Sequence, residues 1–85
     1  MERKTYGQKI FSYKRMDEKK RRVVVTLGKE KGELFWIRIC TYLNDDLKYR
    51  EDYYKNKDPK LFEQILEKEI ESPNDSDVIK KWISR

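Results

Sequence analysis

The chain has 85 residues and a mass of 10.5 kDa, with 21 Lys and Arg against 16 Asp and Glu, a net charge of +5; 44% of its residues are charged and 36% hydrophobic. That length holds one small domain (residues 1–85) and excludes a multidomain enzyme, and no run approaches the roughly 18–20 apolar residues that a membrane-spanning helix needs. Met1-Glu2-Arg3-Lys4 leads into no uninterrupted apolar stretch, so a secretory signal is not expected. The expected location is cytoplasmic, nucleoid-associated if the source is prokaryotic. Cys40 is the single cysteine and histidine is absent, so neither a disulfide nor an ordinary zinc site can be built, and no metal or other cofactor is expected.

The charge is unevenly placed. Residues 1–32 hold 11 basic and 4 acidic side chains, residues 33–60 hold 6 of each, and residues 61–85 hold 4 and 6. A basic N-terminal third beside a neutral to acidic remainder is the footprint of a protein that meets polyanions on one face. Interleaved Lys and Glu with few Asn, Gln and Met also match a heat-adapted composition, in which surface charge serves stability.

Residues 9–15 alternate, with Lys9, Phe11, Tyr13 and Arg15 on one side of an extended chain and Ile10, Ser12 and Lys14 on the other. After the polar run 17–22, Val23-Val24-Val25-Thr26-Leu27 is a strand by its β-branched content, closed by Gly28, and residues 28–33 form a turn. Residues 34–43 fit a strand better than a helix. At period two, Phe35, Ile37, Ile39, Thr41 and Leu43 make an apolar face, and Leu34, Trp36, Arg38, Cys40 and Tyr42 a mixed one. Asn44-Asp45-Asp46 is a turn, and residues 47–55 supply a further strand. Asp58-Pro59 caps and opens a helix to residue 71, with Leu61, Phe62, Ile65, Leu66 and Ile70 on one stripe. Ser72-Pro73 ends it, and residues 75–84 form a short second helix presenting Val78, Ile79, Trp82 and Ile83. The expected fold class is α+β: a small antiparallel sheet of about four strands over residues 5–56, an amphipathic helix over 58–71 and a short C-terminal helix over 75–84.

Catalytic chemistry is not expected. Without histidine the usual proton shuttle near neutral pH is missing, and the adjacent pairs Asp45-Asp46 and Glu51-Asp52 point to opposite sides of an extended chain. Gly28 and Gly32 flank a Lys-Glu-Lys turn with no helix after them, so no phosphate cradle is formed. What is present is a sheet face of aromatic and basic residues. If Phe35, Ile37, Ile39 and Leu43 pack on the helix, Trp36, Arg38 and Tyr42 remain on the other face, and a neighbouring strand could add Lys9, Phe11, Tyr13 and Arg15. Rings for stacking and cations for phosphates are what sequence-tolerant single-strand binders combine. The competing reading is that the C-terminal helix covers Trp36 and Tyr42, which makes the rings packing groups.

The order of features over residues 20–70 resembles the transcription coactivators of the positive-cofactor-four type. The resemblance is carried by Arg22-Val23-Val24-Val25, the Lys31-Gly32 turn, Ile37-Arg38-Ile39-Cys40-Thr41-Tyr42, Asp45 with Leu47-Lys48, and Asp58-Pro59 before the helix. It implies a dimer that binds single-stranded DNA on a curved four-stranded sheet, with Arg22, Lys48 and Arg50 near phosphate-contacting positions. The sequence departs where the family's central-strand base lands on Cys40 and its stacking tryptophan on Leu43. Residues 57–68 are also similar to the terminal helix of small archaeal chromatin proteins. The functional expectation is a non-enzymatic protein that binds nucleic acid, single-stranded DNA by preference, in transcription or DNA maintenance. Lys9, Arg15, Lys20, Arg22, Arg38, Lys48 and Arg50 would meet phosphates, and Trp36 would stack on bases with Phe11, Tyr13 or Tyr42. The alternative is an accessory subunit or inhibitor that docks on a larger protein of a nucleic-acid-processing complex, through the exposed aromatic strand or through the Val78-Ile79-Trp82-Ile83 helix.

Overall fold

The computed structural model describes residues 10–71 and 76–84. Four strands, β1 (Ile10–Met16), β2 (Arg22–Glu30), β3 (Glu33–Leu43) and β4 (Asp46–Tyr54), form an antiparallel meander in the order β1-β2-β3-β4. Two helices follow, α1 (Pro59–Glu71) and α2 (Ser76–Ser84). This is the expected α+β class. Lys9 lies outside the described residues.

Local chemistry sets each corner. The Asp17 carboxylate accepts the backbone N–H groups of Lys19 and Arg21 and the Arg21 Nε–H, at 2.7–3.0 Å, and Lys20 takes a positive φ of 64° to complete the loop. The two later hairpins close through Lys31-Gly32 and Asn44-Asp45, with φ positive at both central residues (55° and 81°; 52° and 74°). That geometry matches the twist of the flanking strands. The turn after β2 is therefore shorter than the sequence suggests, because Gly28 continues the strand and only Lys31-Gly32 turns. Asp58 caps α1, its carboxylate accepting the Leu61 N–H at 3.2 Å and its carbonyl the Phe62 N–H at 2.9 Å.

The register sorts the side chains into two faces. Rows running across the sheet place Phe11, Leu27, Ile37 and Tyr53 together, then Tyr13, Val25, Ile39 and Glu51, then Arg15, Val23, Thr41 and Tyr49. This face takes the helices. Val25, Leu27, Ile37 and Ile79 are sealed from solvent, and Phe62 and Val23 nearly so. Two register shifts interrupt the pairing of β3, and only the first alters its alternation. One, at Gly28/Lys29, leaves Phe35 as an extra residue and turns Leu34 into the core. The other, at Thr41/Tyr42, leaves Lys48 of β4 as the extra residue; Leu43, the last residue of β3, is 45% exposed, so the buried apolar face stops at Thr41.

Among the described residues, the buried side-chain polar atoms of this layer all have partners. Glu69 of α1, 4% exposed, accepts the Tyr13 hydroxyl at 2.6 Å and two Arg15 N–H groups at 3.0 and 2.6 Å. The hydrogen bond and charge of Glu69 hold the Arg15 guanidinium above its ordinary pKa, against the cost of burial. Lys29 reaches the carbonyl of Trp82 at 2.6 Å, with its ammonium 4.4 Å from the centre of that indole, where the carbonyl dipoles of the end of α2 favour a cation. Phe11 stacks on the same Trp82 ring, 5.5 Å between centroids.

Glu69→Ala strands Arg15 and Tyr13 inside the interface and is expected to lower unfolding stability by about 3 kcal/mol in urea titration, with Glu69→Gln costing less because it keeps an acceptor. Burial and the hydrogen bond it donates to Glu51 raise the Tyr53 hydroxyl from 10.0 to about 12. A raised folded-state pKa contributes stability that is complete below pH ~10 and lost as pH rises towards 12. Tyr53→Phe is therefore expected to remove a late-titrating tyrosine from the ultraviolet absorbance curve and to flatten the alkaline loss of stability.

Candidate functional site

Among the described residues, no helix packs on the second face of the sheet. Its rows read Ile10, Gly28, Trp36, Tyr54; then Ser12, Thr26, Arg38, Asp52; then Lys14, Val24, Cys40, Arg50; and, past the second register shift, Met16, Arg22, Tyr42, Leu47. Aromatic rings sit at both ends. Trp36 and Tyr54 are neighbours at one, Tyr42 is at the other, and six residues of strand separate the two poles by roughly 20 Å. Four cations, Lys14, Arg22, Arg38 and Arg50, lie on the face with one carboxylate, Asp52, among them.

Gly28 explains how Trp36 is held. The two are cross-strand partners, and a Cβ built on Gly28 would lie 1.9 Å from the indole Cε2 and 2.2 Å from Cζ2. The ring therefore lies down on bare backbone, which only glycine allows. The guanidinium of Arg38 stands 5.5 Å from the indole centroid, and Arg22 stacks at 4.8 Å over Tyr42, so cation and ring are preassembled at both poles. Arg38 Nε donates to one oxygen of Asp52 at 2.8 Å and Arg50 Nε to the other at 3.2 Å. The hydrogen bond from Arg38 is the main cause that holds the Asp52 carboxyl below its ordinary pKa, and it raises Arg38 in turn. Arg22 also meets Asp45 of the adjoining turn at 3.5 Å. At that end a recess of about 230 Å³ is bounded by Met16, Lys20, Arg22, Tyr42, Leu43 and Asp45.

The structure brings together Arg22, Trp36, Arg38, Tyr42 and Arg50 of the residues selected from the sequence. Lys20 is exposed in the β1–β2 loop and Lys48 at the β4 bulge, both beside the face. Phe11, Tyr13 and Arg15 are a correction. They pair with Leu27, Val25 and Val23 and so lie on the helix-covered face, where Trp82 takes the first ring and Glu69 the polar atoms of the other two. The C-terminal helix covers Phe11 and not Trp36 or Tyr42; Ile79 and Trp82 are buried within the chain's own core, leaving Val78 as the exposed apolar residue of α2. Sequence reasoning missed Lys14, Asp52 and Tyr54. The last two alternate with Arg50 at period two, which was the available signal.

A second hollow, about 330 Å³, opens between α1 and the sheet beside Val23, Thr41 and Ile65. Its charged lining includes Arg15 and Glu69, which already satisfy each other. Among the described residues no group of three or more acidic or cysteine side chains could hold a metal ion, and no helix is long and apolar enough to cross a membrane. Compared with family models, curated proteins and solved structures, the chain matches none.

Gly28→Ala is expected to lift Trp36 off the sheet, shifting its indole N–H resonance while that of Trp82 stays in place, and to cost about 1–3 kcal/mol in stability. An unmoved Trp36 resonance would show that the ring is held by something other than contact with Gly28.

Proposed function

We propose that the protein binds single-stranded nucleic acid without catalysis, along the open face of its sheet. The observation that carries this reading is the combination of two ring-and-cation pairs, Trp36 with Arg38 and Tyr42 with Arg22, at opposite ends of one face on which no described helix packs. Bases stack on flat rings whatever their identity, at roughly 1–3 kcal/mol each, and phosphates meet the cations between them. Stacking requires unpaired bases, which favours a single strand over a duplex. A span of roughly 20 Å accommodates on the order of four to six nucleotides, within the range of small single-strand-binding sheets. The dimeric transcription-coactivator reading goes with this face only through Arg22, Lys48 and Arg50, since Leu43 and Cys40 stand where that family has its ring and its central base.

Fluorescence anisotropy of a labelled oligothymidylate at several salt concentrations tests the reading. Binding should weaken with salt, the logarithmic slope growing by about 0.7 per phosphate neutralised. Trp36→Ala should reduce affinity roughly tenfold through lost stacking, and Arg50→Gln should reduce both affinity and slope. Lys60→Gln, on α1, should change affinity less than about twofold, because its cation faces away from the sheet surface. No binding at low salt, or equal losses from Arg50→Gln and Lys60→Gln, would refute a face-specific interaction.

A further inference from the structure

We propose that the Arg38–Asp52–Arg50 cluster is the principal phosphodiester site of this face, held in the free protein by the chain's own carboxylate. The inference rests on the single-strand reading above and assigns one position within it. Arg38 comes from β3 and Arg50 from β4, one row apart, and their Nε–H groups converge on the two oxygens of Asp52 at 2.8 and 3.2 Å. Two guanidinium groups sharing one oxyanion make an anion site, because planar N–H donors match the paired oxygens of carboxylate and phosphate alike.

Asp52 stands in that site as an internal anion. It is on the surface and not in the core, and the core needs nothing from it, since the sheet beneath is sealed by Val25, Ile37 and Ile39 from the other side. Its surroundings are those of a place for a strand. Arg38 flanks the Trp36 ring, and the Ser12 and Thr26 hydroxyls, bonded to each other at 3.0 Å, continue the same row. A base stacked on Trp36 puts its phosphate within reach of Arg38.

The physical consequence is competition. A bound phosphodiester takes over the donors of Arg38 and Arg50, and Asp52 must release them, so the carboxylate sets affinity below what the two arginines alone would give. It also orients both guanidinium groups in the free protein, so that rejecting weak anions and admitting a polyanion follow from one residue. Chloride or a lone carboxylate does not repay the lost pairing; a strand held at several points does.

The test compares wild-type protein with Asp52→Asn and with Glu63→Gln, which changes net charge equally on the helix side. Oligothymidylate affinity is read by anisotropy at several salt concentrations, and the Nε–H resonances of Arg38 and Arg50 are followed by NMR in the wild-type protein. Asp52→Asn is expected to tighten binding about three- to tenfold, against less than about twofold for Glu63→Gln. Both arginine resonances should move when the strand is added to wild-type protein. Binding by wild-type protein with Asp52→Asn equal to Glu63→Gln, or weaker than wild type, or with both arginine resonances unmoved, overturns this assignment and leaves the single-strand reading intact. Failure of wild-type protein to bind at low salt removes both.

Discussion

The carboxylate of Glu69 decides which side of β1 is inside. By accepting the Tyr13 hydroxyl and two Arg15 donors it turns an alternating strand so that its basic and aromatic residues face the helix. Burying Arg15 uncompensated would cost several kcal/mol, and an exposed Tyr13 would give up its place beside Val25 in the core. One ion pair therefore fixes the register face of the edge strand, docks α1, and leaves Ser12 and Lys14 on the opposite surface.

The second consequence concerns the C-terminal helix. A nine-residue helix is too short to persist alone in water. It persists here because Ile79 and Trp82 close the end of the core, Phe11 stacks on Trp82, and the Lys29 ammonium satisfies the Trp82 carbonyl. With these contacts made inside the chain, α2 offers little apolar surface to a partner. Among the described residues it is instead the open sheet face that carries exposed apolar groups, with Ile10, Met16 and Leu47 largely exposed beside the cations.

Much of this architecture was legible in the residues. The β-branched run at 23–27, the period-two alternation at 34–43 and the Asp-Pro start of α1 each express a local preference that packing reinforces. The partition of β3 into an apolar and a mixed face was legible for Ile37, Ile39, Trp36, Arg38 and Tyr42, because the strand alternates without interruption after Phe35. It was not legible at Leu34, where the extra residue Phe35 shifts the alternation by one, nor at Leu43, which has the apolar character of the core face but lies at the strand's exposed end. The side of β1 was illegible for a different reason. Alternation says which residues travel together but not which set faces the core, and Phe11, Tyr13 and Arg15 look like a binding surface until Glu69, 54 residues beyond Arg15, is brought against them.

The same distinction bears on how the open face should be judged. Basic and aromatic residues occur on both sides of this sheet, so composition cannot select a surface; what separates the two sides is whether the partner that answers each cation is buried or open to solvent. On the helix side Arg15 and Lys29 are bound by partners that exclude water, and they are part of the fold. On the open side Arg22 and Arg38 hold ring partners at 4.8 and 5.5 Å and anionic partners that remain accessible to solvent, so their pairing is exchangeable at little cost. Exchangeable pairing over a preassembled pair of rings is the physical difference between a cation that stabilises a small protein and one available to a polyanion.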